Sequence, residues 1–228
     1  MGYQSVFKRY ELKYILDREQ VQHVMDSFDG RMVSDHYAHS TIDNVYYDTD
    51  TYTLATHSIS HPMYKEKLRV RKYSTDPNDP VFVEIKKKYD SVTYKRRVSL
   101  QADVAKEWLE GKAEVDTQIG HEIEAFRDRY PTLAPKIAMH YERDSYKSPD
   151  CDLRVTFDTD VRASIDDVEA VGPDDGISLI PEGCTIMEIK TGTAIPLWLT
   201  RTLSEVSAYP GHFSKYGTAY KRLVLANS

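Results

Sequence analysis

Hydrophobic and polar residues alternate along eight separate segments of the chain, a pattern typical of antiparallel strands with two unlike faces. The segments lie at residues 7–14, 42–48, 65–73, 80–88, 92–100, 135–146, 152–161 and 184–190. Four further segments, at 21–28, 104–109, 119–126 and 199–206, each carry one apolar stripe at helical spacing. The presence of both strands and helices predicts an α+β fold, and eight strands suffice to close a barrel. We expect an eight-stranded antiparallel β-barrel tunnel with amphipathic helices packed outside.

The whole chain, residues 1–228, is expected to form a single domain, since barrels of this length commonly do. Segment 163–183 is rich in Asp, Glu, Gly and Pro, and we interpret it as a solvated excursion because a strand follows it. No run of 18 apolar residues occurs, so no direct membrane anchor is expected. The two cysteines, Cys151 and Cys184, fit a reducing compartment. A cytoplasmic location is therefore predicted.

Cations recur on one face of the predicted strands. Side chains alternate across a strand, so Lys67, Arg69 and Arg71 share one face while Leu68 and Val70 share the other. The same alternation recurs at Glu11 and Lys13, Glu84 and Lys86, Lys95 and Arg97, Arg154 to Asp158, and Glu188 and Lys190, with Arg143 in a strand of weaker alternation. The formal net charge is −6, so any basic site must be local rather than a property of the whole surface.

The simplest interpretation of these faces is the solvent side of a sheet that is covered on its other side. Two observations favour a shared interior instead. Like charges on one face repel each other, and the helices can cover the apolar faces, which leaves the charged faces to meet if the sheet closes. A cationic tunnel is unfavourable when empty and is relieved by a chain of phosphates. Glu11, Glu84 and Glu188 on these faces offer the oxygen ligands that Mg²⁺ or Mn²⁺ prefers.

The chain also carries, in order, the segments FKRYELKY, KLRVRKY, FVEIKKK, YKRRVSL, YERDSY, LRVTFDTDVR, IMEIKTG and FSKYGTAYKR. This series resembles the VTC polyphosphate polymerase domain, one of the CYTH-like triphosphate tunnel metalloenzymes, over residues 7–222. The resemblance implies phosphate contacts at Lys13, Arg69, Arg71, Lys86, Lys95, Arg97, Arg143, Arg154, Lys190 and Lys215, and metal coordination at Glu188. Related triphosphatases begin with E-x-E-x-K, whereas this chain has Arg9, Glu11 and Lys13. The missing carboxylate favours the polymerase over the hydrolase.

The leading hypothesis is therefore a phosphotransferase that moves the terminal phosphate of ATP, or of another triphosphate, onto polyphosphate. The transferring group would be held by Lys13 and four arginines, Arg69, Arg71, Arg143 and Arg154. The rest of the phosphate chain would be bound by Lys86, Lys95, Arg97, Lys190 and Lys215. Glu188, with Glu11, would hold Mn²⁺ or Mg²⁺. An inorganic triphosphatase and a non-catalytic polyphosphate- or nucleotide-binding module stay open as alternatives. Nucleic acid is not an expected partner, because the tyrosines beside the cations are better explained by packing. The oligomeric state is left open.

Overall fold

The strands of the molecule form one antiparallel sheet, in which strand lengths differ widely. The structure is a computed structural model, and it describes residues 10–60, 62–73, 76, 78–89, 92–166, 168 and 175–227. The strands are β1 (Tyr10–Leu16), β2 (Val33–Asp48), β3 (Tyr64–Lys72), β4 (Val81–Tyr89), β5 (Val92–Leu100), β6 (Ala134–Lys147), β7 (Leu153–Ser164), β8 (Ile177–Ser178) and β9 (Thr185–Thr191). The helices are α1 (Arg18–Asp26), α2 (Thr53–Ile59), α3 (Ala102–Leu109), α4 (Gln118–Arg129), α5 (Leu197–Glu205) and α6 (Lys215–Leu223), followed by a 3-10 turn (Leu225–Asn227).

The strand order is β1-β9-β7-β6-β2-β3-β4-β5, and β8 pairs with β7. Each predicted strand overlaps an observed one, although residues 7–9 of the first lie outside the described residues. The sequence did not predict β8, the first half of β2, α2 or α6. The α+β class is confirmed.

The prediction of a closed barrel is not confirmed, because β1 and β5 are the two end strands and no pairing joins them within the described ranges. Side chains meet across this gap instead. Glu11 of β1 lies 3.8 Å from Lys86 of β4, so the sheet curls until its ends face each other. We call the inward side of this curl the concave face. The two ends of the sheet therefore meet through side chains, whereas the sequence pattern had suggested a barrel closed by backbone pairing.

Two apolar cores cover the convex side of the sheet, as amphipathic helices must bury their apolar stripes. In the first, Val24 of α1 and Leu199 of α5 pack against Tyr14 and Met187. In the second, Trp108 of α3 and Phe126 of α4 pack against β3 and β4, for example at Ile85. These helices lie outside the sheet, as predicted. None of the helices in the described ranges combines the length and the apolar character needed to cross a membrane.

Helix α6 departs from the predicted arrangement because it packs on the concave face. Its Tyr216, Ala219 and Leu223 belong to a third core with Met139 of β6 and Ile186 of β9. Ser214 caps the helix by accepting a hydrogen bond from the Gly217 N–H at 3.1 Å. The prediction that the helices all pack outside is thus wrong for α6, and this helix forms one wall of the charged site.

Candidate functional site

The concave face gathers charged side chains from seven strands and from the start of α6. Its ten cations are Lys13, Lys67, Arg69, Arg71, Lys86, Lys95, Arg97, Arg143, Lys190 and Lys215, and its four carboxylates are Glu11, Glu84, Asp158 and Glu188. We call these fourteen residues the concave cluster. Alternation along the strands places them on one face, as the sequence indicated. The excess of cations makes the cluster suited to a polyanion.

Asp158 anchors the deepest part of the cluster. Its side chain is fully buried and accepts hydrogen bonds from Arg143 Nε at 2.5 Å and Nη2 at 2.7 Å. Lys215 Nζ, at the start of α6, donates to the same carboxylate. Burial alone would raise the pKa of Asp158, but Lys215 and Arg143 outweigh burial and lower it. The carboxylate is thus ionised and fixes two cations that would otherwise repel each other.

Glu188 occupies the centre of the cluster. Its carboxylate lies 3.0 Å from Lys190 Nζ and 3.3 Å from Lys13 Nζ, with Lys215 and Arg143 at 3.6 and 3.8 Å. Burial opposes ionisation, but these cations hold the pKa of Glu188 well below its ordinary value, Lys190 having the largest effect among them. Each of its two oxygens lies within 4 Å of two cations. Glu188 is therefore the point at which β1, β6, β9 and α6 are connected electrostatically.

Lys13 connects Glu188 to Glu11. Its Nζ lies 3.3 Å from Glu188 and 3.5 Å from Glu11, whose other oxygen faces Lys86. Burial would lower the pKa of Lys13, but Glu188 and Glu11 outweigh it and raise the pKa. Lys13 thus keeps its charge.

Glu84 organises the β3–β5 side of the cluster. It is 1% exposed, accepts hydrogen bonds from Arg69 Nε at 2.8 Å and Nη2 at 2.6 Å, and forms an ion pair with Lys95. Burial raises the pKa of Glu84, but Arg69 and Lys95 outweigh it and lower the pKa to about 2. For Lys95 the balance is reversed: burial prevails over Glu84 and lowers its pKa to about 8. Lys95 therefore titrates close to physiological pH.

Three cations of the cluster have no carboxylate within 4.0 Å among the described residues: Lys67, Arg71 and Arg97. Lys67 donates to Ser214 Oγ at 3.1 Å, and burial together with Lys86 and Lys13 lowers its pKa well below the ordinary value. The buried Arg71 is held by neutral acceptors, Asn44 Oδ1 at 2.7 Å and the Tyr141 hydroxyl at 2.9 Å. Arg97 is exposed and lies over the Phe82 ring, whereas a buried cation without a counterion, such as Arg71, is unfavourable unless a ligand supplies one.

Arg154 is the one proposed site residue that lies outside the concave cluster. It is exposed at the rim, and its Nη2 lies 2.8 Å from Asp35 Oδ2 at the start of β2. The alternation of β7 was predicted correctly, but the position along the strand carries this arginine beyond the buried centre. The other eleven proposed residues, including Glu11 and Glu188, come together in the cluster.

Residues missed by the sequence analysis contribute as much as several that were proposed. Lys67 and Asp158 were visible in the alternation of their strands but received no role. Tyr141 gave no signal at all. It is buried beneath three cations, and although burial raises the pKa of its hydroxyl, Arg71, Arg143 and Lys215 outweigh burial and lower it. A phenol held in this way is a hydrogen-bonding partner for the cations around it.

The cluster could contribute two carboxylates to a metal ion, Glu11 and Glu188, which share the Lys13 ammonium. Over the described ranges, no three His, Cys, Asp or Glu side chains are arranged to hold an ion by themselves. Mg²⁺ commonly takes one or two protein carboxylates and completes its shell with phosphate oxygens and water. The donor set therefore fits an ion that arrives with a phosphate ligand.

A family model described as the VTC domain matches residues 8–224, nearly the whole length over which the cluster is built. The chain belongs to the VTC domain family. The resemblance noted from the motifs is thereby confirmed. No curated protein sequence gives a significant match.

Solved structures add support for the fold of this VTC domain. A proposed adenylate cyclase from Bacillus halodurans matches with a TM-score of 0.56 at 15% identity, over 92% of this chain and 96% of that chain. A proposed adenylate cyclase from Vibrio parahaemolyticus covers the same shares at 10% identity, with a TM-score of 0.47. At this identity the first match shows a common fold and nothing about activity. The second is too distant to support an argument.

Proposed function

We propose that this VTC domain transfers the terminal phosphoryl group of a nucleoside triphosphate, ATP being the expected donor, onto the end of a polyphosphate chain. Family membership supports the handling of triphosphates. The observation that carries the proposal is the concave cluster, in which cations outnumber carboxylates and Lys67, Arg71 and Arg97 lack an ion pair. A polyphosphate would supply the missing negative charge along several strands at once.

In the proposed reaction, a terminal oxygen of the acceptor chain attacks the γ-phosphorus of the donor. The bond from that phosphorus to the β–γ bridging oxygen breaks, and the nucleoside diphosphate leaves with the electron pair. Charge spreads over the transferring oxygens, so positioned cations can lower the barrier without a protein nucleophile. Arg69 and Arg143 are held rigidly by Glu84 and Asp158, and both suit this role.

Glu188, together with Glu11, would hold the proposed Mn²⁺ or Mg²⁺. When bound, such an ion would neutralise phosphate charge and orient the oxygens around it. Lys13 lies between the two carboxylates and is the cation that would have to move. Arg154, at the rim, would contact the more distant part of a chain or the donor.

The proposal is tested with purified protein, ATP and Mn²⁺, with and without a short polyphosphate primer. The expected products are ADP and chain growth in equal amounts, measured by chromatography and by gel electrophoresis of the polyphosphate. Orthophosphate without chain growth would show a triphosphatase. Binding of triphosphate without turnover under every priming condition would show a binding module. Failure to bind any triphosphate would contradict all three.

Two neighbouring arginines supply a matched control. Arg97 lies on the concave face of β5, whereas Arg96 points to the other face, where its Nε is 3.5 Å from Glu122 of α4. Arg97→Gln is expected to weaken triphosphate binding by about tenfold, the value of one charge-assisted contact. Arg96→Gln should leave the affinity unchanged. Equal affinities in the two variants would place the phosphate site elsewhere.

A further inference from the structure

We infer that a phosphate chain enters the concave site by its end and stops against helix α6, so that the site recognises chain termini and not internal stretches. This inference rests on the proposed function and names the part of the substrate that is bound. It depends on where α6 lies, how firmly α6 is held and where the site opens.

Helix α6 fills one half of the concave space. Its apolar side chains pack against concave-facing residues of β2, β6, β7 and β9, among them Ile42, Met139, Ala163 and Ile186. This core meets the concave cluster at Lys215, the first residue of the helix. A chain that followed the cations inward would therefore reach packed side chains at this boundary.

The boundary layer is built from aromatic rings that are tied to the scaffold. The rings of Tyr46 and Tyr216 are stacked, with centroids 4.5 Å apart and planes 18° apart. The Tyr216 hydroxyl donates to Asp48, a fully buried carboxylate that also accepts the Leu54 and Ala55 N–H groups at 2.9 and 2.8 Å. Opening this layer would take one hydrogen bond from a buried carboxylate and separate two stacked rings, which is costly. It acts as a fixed floor.

The site opens away from this floor, as the exposure of the lysines shows. The exposed fraction of the side chain is 9% at Lys215, 23% at Lys13, 28% at Lys190 and 40% at Lys86. The buried end of this gradient also has the N-terminus of α6 and Lys67, which has no carboxylate partner in the described ranges. The cluster thus reaches its most buried point at Lys215, where the chain must stop.

A terminal phosphate matches this floor better than an internal one does. Each internal unit of a polyphosphate carries one negative charge, whereas a terminal unit, which ionises a second time as a phosphate monoester does, carries about −1.5 to −2 at neutral pH. It also presents three free oxygens, one more than an internal unit, to the positive end of the α6 dipole and to Lys67 beside it. Charge and shape therefore select the same part of the chain.

The test compares short and long polyphosphates of uniform length with a long chain whose two ends are blocked by amidation. Calorimetric titration gives the number of protein molecules bound per chain. We expect at most two proteins per chain at every length, and at least tenfold weaker binding of the blocked chain, whose total charge is almost unchanged. Several proteins on each long chain, or equal affinity for the blocked chain, would overturn the inference.

Two further measurements separate the inference from the function on which it depends. Binding of the free-ended chain should weaken in Arg97→Gln and not in Arg96→Gln, which excludes attachment to the outer surface. If inorganic triphosphate and the free-ended chains all fail to bind, the proposed function is wrong. If triphosphate binds and the blocked chain binds as well as the free one, the proposed function stands and end recognition alone is wrong.

Discussion

Arg143 and Asp158 face each other on β6 and β7 as a two-pronged ion pair, in which Nε and Nη2 of the arginine reach the two oxygens of a fully buried carboxylate. Lys215 is held by the same carboxylate, so a single acid fixes two cations of different elements. The order of the site before any ligand arrives depends on this acid.

Replacing this acid should make the protein depend on its ligand. Asp158→Asn leaves Arg143 and Lys215 buried with weaker partners, which should lower the free energy of unfolding by about 3 to 5 kcal/mol. Added triphosphate supplies negative charge, so it should raise the melting temperature more in the variant than in the wild type. Asp160→Asn is the control, because Asp160 is half-exposed and its contact with Arg162 is long, at 3.7 Å. An equal ligand-induced shift in wild type and Asp158→Asn would contradict the assignment.

Glu84 should govern stability in acid. Its pKa is about 2 in the folded protein against an ordinary value of 4.5, so its stabilising effect is complete above about pH 4.5 and is lost as the pH falls through 2. Glu84→Gln removes this dependence. Urea unfolding from about pH 5 to about pH 2 should therefore show a smaller loss of stability in the variant than in the wild type. The exposed Glu114→Gln should behave like the wild type.

Lys95 should make phosphate binding sensitive to mildly alkaline pH. Its pKa of about 8 means that the free protein loses this charge as the pH rises through 8, whereas bound phosphate favours the charged form. Triphosphate affinity should fall by up to about tenfold per pH unit above that value. Lys95→Arg keeps its charge and should flatten the profile. Lys87→Arg, a neighbour on β4 that lies off the concave face, should not.

Lys67 should oppose stability while it assists binding. It is crowded by Lys86, Lys13, Lys65 and Arg69. Lys67→Met removes this repulsion and should raise the free energy of unfolding by about 1 kcal/mol while it weakens triphosphate binding. Lys72→Met, on the opposite face of β3, should change neither quantity by more than about 0.5 kcal/mol. A destabilised Lys67→Met that binds normally would show a structural lysine.

Gly217 should be required for α6 to pack in its observed position against α2. A Cβ at this position would lie 2.9 Å from Ile59 Cγ2 and 3.3 Å from Ser214 Oγ. The first contact is a branched methyl close to its own backbone and cannot move cheaply, so Gly217→Ala should destabilise the protein by about 1 to 3 kcal/mol in spite of the better helix propensity. Gly211→Ala is the control, because its Cβ would meet nothing within 4 Å. Thermal melting of both variants decides this.

The faces of the strands could be predicted from sequence because alternation is a local property. The relative facing of Lys67, Arg69 and Arg71 follows from spacing alone, and so does the placement of Lys95 and Arg97 against Arg96. How far the sheet curls, and whether its end strands pair, depends on the whole set of strand twists. The predicted barrel is therefore not confirmed, since β1 and β5 do not pair within the described residues.

Helix α6 could not be predicted from its own residues. Its sequence KYGTAYKRL has a glycine near its start and tyrosines where aliphatic residues would mark a stripe. Tyr216 and Tyr220 supply that stripe only because β2 and β6 offer a concave surface on which they pack. The rim position of Arg154 was hidden for a similar reason, since its partner Asp35 lies in the half of β2 that lacked an alternating pattern.

Within the part of the chain that the structure describes, β5 pairs with β4 alone, and its other edge has a consequence for solubility. An edge strand exposes unsatisfied backbone groups that can recruit the strand of another molecule, and charged side chains are a common defence against such pairing. β5 carries Lys95, Arg96 and Arg97 in succession, with one cation on the convex side and two on the concave side. Two copies approaching edge to edge would bring these cations together. The side chains that we propose to bind phosphate should therefore also protect the protein from aggregating with itself.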